Sequence, residues 1–289
     1  MLQTIVNGLL YGGTLAVAAV GFSLIFGVMN IINLAHGVFV IGGAYAALVA
    51  WAQFGIDPFI MLAPLMCLGF GLGWLVERLI IGPSVRKSGP VMALLVTFGV
   101  SLIVANLLTV VFSSSVRNIS PPYAFASFKF VDVSIDAVRG AAFLAALVLI
   151  AVLALFLRLA PWGRTIRATA QMELAARLCG VDTRAVYALT FAIGSAFAMA
   201  AGVLIGLILP FTPAEEVQWT VYAFIVVTLG GVGSPAGALL GGLLLGLTAI
   251  LTQTFLGAIY TNVVMFVILL LMLLVRPNGL LGSAFRGSR

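Results

Sequence analysis

Residues 5–28 read IVNGLLYGGTLAVAAVGFSLIFGV and contain no charged side chain. The charge-free run extends beyond this segment, from residue 1 to residue 56. About 20 predominantly apolar residues are enough for a helix to cross the hydrocarbon core of a bilayer. The segment also lacks the basic residues that open a secretory signal peptide, so we interpret it as a retained first transmembrane span.

The composition of the whole chain agrees with a membrane protein. Of the 289 residues, 63% are hydrophobic and 8% are charged, whereas charged residues make up about 25% of a soluble domain. So few charges cannot cover a water-exposed surface, which argues against a soluble enzyme or a nucleic-acid-binding protein despite the net charge of +6. Cys67 and Cys179 lack metal-ligand spacing, so we expect two free thiols and no metal site.

Further apolar segments predict further spans. The seventh segment is too long for one span and is interrupted at 230–235, so it either crosses the membrane twice or enters and returns. We therefore predict an all-α, polytopic membrane protein with about eight transmembrane helices plus broken or re-entrant half-helices, forming a single domain over residues 1–289. The segments are 5–28, 35–54, 59–81, 90–112, 138–158, 186–209, 219–252 and 257–275.

The positions of Lys and Arg predict the orientation, because cytoplasmic loops of membrane proteins are enriched in these residues. The favoured arrangement places eleven of the 14 basic residues inside, with the N-terminus outside and the C-terminus inside. Arg117, Lys129 and Arg139 are then outside. The inner residues are Arg78, Arg86, Lys87, Arg158, Arg164, Arg167, Arg177, Arg184, Arg276, Arg286 and Arg289.

Two predicted outer loops carry distinctive residues. In the longer loop, residues 113–137, aromatic and β-branched residues from Phe128 to Ile135 predict a short strand or hairpin. This loop is either a lid on the helix ends or a docking surface for an external partner. In the second outer loop, Glu215 and Glu216 are expected to be solvated, or to meet basic residues of an external partner.

The inner loop, residues 159–185, contains a run of helix formers from Ala168 to Gly180. We predict one short helix over 169–180, in which Thr169 caps the start and Gly180 takes the left-handed conformation after the end. Glu173 and Arg177 form an i,i+4 pair in the favourable order. The helix is either a solvated loop element or a knob that inserts into a cytoplasmic partner.

Two interruptions of the spans are candidates for a translocation path, because irregular backbone at membrane depth occurs only where it is buried or lines a cavity. The alternatives are interhelical hydrogen bonding or capping for the polar residues, and close helix packing of the small-xxx-small type for the glycines. The candidates in the first interruption are Asn30, Asn33 and His36, and those in the second are Thr228, Gly230, Gly231 and Gly233.

The sequence offers no energy source of its own. Lys87 and Lys129 are the only lysines and neither follows a glycine, so the chain has no G-x-x-x-x-G-K-[ST] phosphate-binding loop. Ion-coupled carriers usually hold ionisable groups at membrane depth. The only acidic residue in the predicted spans is Glu77, which we expect to pair with Arg78 near an inner helix end.

Seven motifs in order resemble the permeases of ABC importers for branched-chain amino acids, in particular the shorter, H-type subunit. Ala175-Ala176, three residues and Gly180 are similar to the E-A-A-x-x-x-G loop of ABC importers, although Glu173 lies one position earlier than the glutamate of that pattern. The seven motifs are Gly21–Gly27, Asn33–Gly37, Glu77-Arg78 with Pro83, Thr97–Ser101, Gly163–Gly180, Leu229–Ala238 and Arg276–Leu280.

The resemblance implies a non-catalytic permease in the bacterial inner membrane. Its partners would be an M-type permease, two cytoplasmic ATPase subunits that use ATP and Mg²⁺, and a periplasmic substrate-binding protein, while this chain binds no cofactor itself. Related permeases carry urea, short amides or aromatic acids instead of branched-chain amino acids. The resemblance also implies that the ATPase-coupling residues are Glu173, Ala175, Ala176, Arg177 and Gly180. The rival functions are an ion-coupled secondary carrier or channel, and a structural subunit that never touches substrate.

Overall fold

The computed structural model of the protein describes residues 1–89, 91–130, 133–276 and 278–281. Pro277, Arg286 and Arg289, to which the sequence assigned roles, lie outside the described residues. Twelve α-helices are found in the described part of the chain. They are α1 (Leu2–Met29), α2 (His36–Phe54), α3 (Pro58–Val76), α4 (Gly82–Ser88), α5 (Val91–Phe112), α6 (Ala137–Leu159), α7 (Pro161–Gln171), α8 (Glu173–Leu178), α9 (Thr183–Ile208), α10 (Glu216–Gly230), α11 (Pro235–Phe255) and α12 (Thr261–Val275).

Eight helical stretches are long and apolar enough to cross a membrane, which confirms the predicted number. They are α1, α2, the continuous stretch Pro58–Ser88, α5, α6, α9, α11, and α12 together with the preceding turn from Ala258. With 15 residues, α10 is only about 22 Å long and falls short of the roughly 30 Å hydrocarbon core. The predicted segment 219–252 therefore consists of one half-helix and one full-length helix.

Two helices form the centre of the bundle. In their most apolar 18-residue windows, 83% of the α1 residues and 89% of the α9 residues are buried. The corresponding share is 22% or less in Pro58–Ser88, α5 and the stretch containing α12. These outer helices expose Leu, Val, Ile and Phe side chains, as expected for helices that face lipid.

Small residues allow the central helices to approach closely. Gly202 of α9 lies against the carbonyl oxygen of Val40 in α2, where any added Cβ would overlap that oxygen. Gly242 and Gly246 of α11 pack on α1, while Gly237 and Gly241 pack on α10. The small-xxx-small interpretation is thereby confirmed for the pair Gly237 and Gly241 and for the pair Gly242 and Gly246.

The third span is longer than predicted and contains a wider turn. Residues Glu77–Ile81 form a π-helical turn that joins α3 to α4. Glu77 is buried there, whereas the guanidinium of Arg78 lies 5.1 Å from the ring centroid of Trp74. The prediction that Glu77 forms an ion pair with Arg78 is wrong, because neighbouring residues on a helix point in different directions. The ion pairs between described residues are Arg139–Asp136 and Arg177–Glu173.

The longer outer loop closes over the helix ends. Strands β1 (Ser127–Phe130) and β2 (Val133–Asp136) form the predicted antiparallel hairpin. The side chain of Gln3 bonds both the N–H and the carbonyl oxygen of Ser134, at 2.8 and 2.7 Å. The hydroxyl of Tyr123 donates to Asp57 Oδ2 at 2.6 Å. These bonds attach the loop to α1 and to the start of α3, as expected for a lid.

Candidate functional site

The first interruption of the spans connects α1 to α2. Asn30 ends α1 in the left-handed conformation, with φ of 53°, and its N–H bonds the carbonyl oxygen of Phe26 at 3.0 Å. Two threonine hydroxyls from other helices hold the following residues. Thr97 Oγ1 accepts from the Leu34 N–H at 3.1 Å, and Thr220 Oγ1 accepts from the Gly37 N–H at 2.8 Å. The irregular backbone is therefore tied to α5 and α10.

His36 begins α2 and is fully buried. Its Nε2 lies 2.7 Å from the carbonyl oxygen of Ala18, so this nitrogen carries the proton and donates. Its ring meets Phe22 edge-on, with centroids 5.3 Å apart. Asn33 is buried beside it and its Oδ1 accepts from the Ala35 N–H at 3.0 Å. Both residues thus make the hydrogen bonds of the alternative interpretation, and a role in the path stays a prediction.

The second interruption connects α10 to α11. Gly231 and Gly233 have φ of 108° and 78°, values that residues with a Cβ rarely adopt. Ser234 caps α11 by accepting from the Gly237 N–H at 3.0 Å. Gly230 lies so close to Gly237 that neither position has room for a side chain. Thr228 remains helical and donates to the Phe224 carbonyl oxygen at 2.8 Å.

Both interruptions meet the same stretch of α1. The first reaches it through His36, at Ala18 and Phe22. The second reaches it through the Gly233 N–H, which donates to Ser23 Oγ at 2.9 Å. We call α1 residues 18–23 together with the two interruptions, 30–36 and 230–234, the junction site. Apart from the exposed Asn30, the residues of the two interruptions are buried or half-buried in protein.

Residues in the first turn of α10 adjoin the junction site, and the sequence interpretation missed one of them. Glu216 was expected in a solvated loop, but it lies in α10 and is 7% exposed. That expectation is wrong because Glu216, Trp219, Thr220 and Ala223 share one helix face, and this face is buried. Their i, i+3, i+4, i+7 spacing was the signal available in the sequence.

Several buried polar atoms near this site have no hydrogen-bond partner. In the described ranges, nine buried side-chain nitrogen or oxygen atoms lack one. Four of them belong to the first interruption and the first turn of α10, namely Asn33 Nδ2, His36 Nδ1, Glu216 Oε2 and Trp219 Nε1. Buried polar groups are nearly always paired in proteins, so this concentration makes the region a candidate functional site.

The inner loop contains two helices, α7 and α8. Met172 adopts an extended conformation, with φ of −156°, between them. The predicted single helix over 169–180 is therefore wrong. Pro161 occupies the first turn of α7 and sets its start, whereas Thr169 lies inside α7 and donates to the Thr165 carbonyl oxygen at 3.0 Å.

The second of these helices has the features expected of a contact element. Leu174 and Leu178 are 66% and 81% exposed, an unusual exposure for large apolar side chains in a polar loop. Arg177 binds Glu173 as predicted, and its Nε donates to Thr183 Oγ1 at 3.0 Å, which links α8 to the start of α9. Gly180 has the predicted left-handed conformation, with φ of 83°. Ala176 is buried and Ala175 is half-buried.

Comparison with known proteins gives the family. The sequence profile described as "Branched-chain amino acid transport system / permease component" matches residues 4–275. The chain belongs to this family. The match covers both interruptions, α7 and α8, and so confirms the resemblance inferred from the seven motifs.

Individual relatives cover nearly the whole chain. The high-affinity branched-chain amino acid transport system permease protein LivH of Salmonella typhimurium is 34% identical over 97% of this chain and 95% of its own length. The corresponding protein BraD of Pseudomonas aeruginosa is also 34% identical, over the same shares. LivM of Escherichia coli is 32% identical over 42% of this chain and 28% of its own length. No solved structure is significantly similar to the chain.

Proposed function

We propose that this chain is the H-type permease subunit of an ATP-driven ABC importer that moves branched-chain amino acids across the bacterial inner membrane. The observation that carries the proposal is the 34% identity over 97% of the chain to permeases named for branched-chain amino acid transport. ATP hydrolysis then belongs to two partner ATPase subunits, which use Mg²⁺, and substrate arrives from a periplasmic binding protein. This chain acts as a non-catalytic transport subunit.

The membrane partner in this proposal is an M-type permease. Supporting it, part of the chain is similar to LivM, so H-type and M-type subunits share sequence features. Two subunits of related architecture can enclose a path between them, as inverted or parallel repeats do in single-chain transporters. The exposed Asn30 and the half-buried Thr228 lie at the edge of the junction site and would reach that path first. The other candidate residues would lie behind these two and hold the wall of the path in place. They are Asn33, His36, Gly230, Gly231 and Gly233.

The proposed mechanism is alternating access driven through the inner loop. Closure of the ATPases would displace α8, whose exposed Leu174 and Leu178 form the contact surface. Arg177 would transmit the displacement to α9 through Thr183. Since Gly194 of α9 packs against Gly21 of α1, movement of α9 would reach α1 and the junction site. A packed interior transmits such displacements because it has few voids.

The proposal is tested by reconstituting the chain in vesicles with its M-type partner, the ATPases and the binding protein. We expect leucine uptake that requires ATP and every subunit. Leucine uptake by this chain alone, driven by an ion gradient, would establish the secondary carrier instead. The substrate class is measured by offering urea, short amides and aromatic acids as competitors and as substrates. Uptake of one of these compounds with no uptake of leucine would contradict the proposed substrate.

A further inference from the structure

The first turn of α10 buries a carboxylate that has no cation beside it. Glu216 is 7% exposed and its Oε2 has no hydrogen-bond partner. Neither of the two ion pairs between described residues involves Glu216. A buried, unpaired charge is strongly unfavourable in a protein. The positive end of the α10 dipole stabilises the carboxylate only in part.

A buried donor without an acceptor lies one turn further along the same face. Trp219 is 3% exposed and its indole Nε1 has no partner. Residues at i and i+3 of a helix are neighbours, so Glu216 and Trp219 offer one unused acceptor and one unused donor side by side. Two other polar side chains of α10 are hydrogen-bonded. Thr220 bonds Gly37, and the hydroxyl of Tyr222 donates to Asn262 Oδ1 at 2.7 Å.

We propose that Glu216 and Trp219 recognise the polar end of the transported amino acid, an inference that rests on the proposed function. Glu216 accepts from the α-ammonium group, and the indole N–H of Trp219 donates to the α-carboxylate. A negatively charged acceptor beside a neutral donor is complementary to a zwitterion, which carries an ammonium group and a carboxylate. It does not match urea or an uncharged amide, which bring no cation for the carboxylate, or an aromatic acid, which brings an anion.

The position of α10 in the chain explains how a buried pair becomes available. Glu216 and Trp219 lie at the N-terminal end of the helix, whereas its C-terminal end meets Gly231 and Gly233, two residues with positive φ. Rotation about these glycines displaces the N-terminal end of α10 furthest. The structure accordingly holds the pair in a closed arrangement, and outward opening of the junction site exposes it.

The test uses the complete reconstituted importer and two nearly isosteric variants. Glu216→Gln removes the charge, and Trp219→Phe removes only the indole N–H. At saturating leucine-loaded binding protein, we expect leucine uptake to fall about tenfold in Glu216→Gln and about threefold in Trp219→Phe, the range expected for a charged and a neutral hydrogen bond. ATP hydrolysis stimulated by the binding protein should stay within about twofold of wild type, since the ATPase contacts are unchanged.

The matched control is Glu215→Gln, because Glu215 is the adjacent carboxylate and is already bonded by Thr212 at 3.1 Å. Its uptake should equal that of wild type. Normal uptake by Glu216→Gln overturns the proposal, and so does a parallel loss of ATPase stimulation in both variants, which indicates a structural role. If the importer carrying Glu216→Gln does not assemble, leucine uptake and stimulated ATP hydrolysis of the Trp219→Phe variant test the proposal by themselves. Absence of leucine uptake by the wild-type importer overturns the proposed function instead.

Discussion

The glycines of the spans fall into two groups according to what an added Cβ would meet. At Gly202 it would overlap the Val40 carbonyl oxygen, whereas at Gly71, also in a span, nothing lies within 4 Å. We expect Gly202→Ala to lower the free energy of unfolding by about 1–3 kcal/mol or more, because α9 and α2 must move apart. Thermal unfolding of the purified protein in detergent measures this change.

Gly71→Ala is the control for that substitution. It adds the same methyl group to a helix and should be neutral or slightly stabilising, since Ala is the better helix former by about 1 kcal/mol. Equal unfolding temperatures for the two variants would contradict the close packing of α9 on α2.

The Tyr123 hydroxyl is one of the groups that attach the lid, residues 113–137, to the helices. Burial and the hydrogen bond to Asp57 raise the pKa of Tyr123, so its hydroxyl stays protonated and continues to donate. We expect Tyr123→Phe to destabilise the lid by about 1–3 kcal/mol, because the bond is made to a charged acceptor. Amide hydrogen exchange in β1 and β2 should accelerate. Tyr260→Phe is the control, since Tyr260 is 55% exposed, and unchanged exchange in Tyr123→Phe would argue against the lid.

In the proposed mechanism, coupling depends on the contact between α8 and α9. Arg177→Ala removes the bonds to Glu173 and Thr183. The ion pair is exposed, so protein stability should change by less than about 1 kcal/mol. The ATPases should still co-purify through Leu174 and Leu178, but less substrate should move per ATP hydrolysed. Arg184→Ala, which alters the neighbouring basic residue, should leave this ratio unchanged, and a normal ratio in Arg177→Ala would exclude the proposed transmission.

The sequence predicted elements well where one physical property dominates. Absence of charge located the eight spans, and alternating aromatic and β-branched residues located the hairpin. Elsewhere the sequence was insufficient, because the deciding contacts are distant in the chain. No proline or glycine lies near Met172, yet its extended backbone separates α7 from α8. Glu216 follows two prolines in what resembles a loop, and its spacing with Trp219, Thr220 and Ala223 is too short a pattern to predict by itself that this face is buried.

Within the junction site, the sequence identified the interruptions but not their partners. His36 and Gly233 are separated by about 200 residues, and helix periodicity gives no information on which spans are adjacent. Their shared contact with α1 residues 18–23 follows from the tertiary arrangement. The roles proposed for the path residues therefore require transport measurements.

At the scale of the whole molecule, the two native cysteines report the orientation. Both are free and exposed, but Cys67 lies on the apolar face of α3 and Cys179 lies in the loop predicted to be cytoplasmic. A membrane-impermeant maleimide should label Cys179 in inside-out vesicles and fail to label it in right-side-out vesicles. Labelling of a Cys67→Ala variant isolates the signal. Labelling of Cys179 in right-side-out vesicles would reverse the predicted orientation.

The last described residues complete a helix that is made much earlier. The N–H groups of Leu280 and Leu281 donate to the carbonyl oxygens of Leu229 and Gly230, at 2.9 and 3.2 Å. During synthesis, about 50 further residues are added to the chain before these two carbonyl oxygens can accept from these donors. A stop codon just ahead of residue 280 would therefore leave all eight described spans intact and still remove both donors from the C-terminal end of α10.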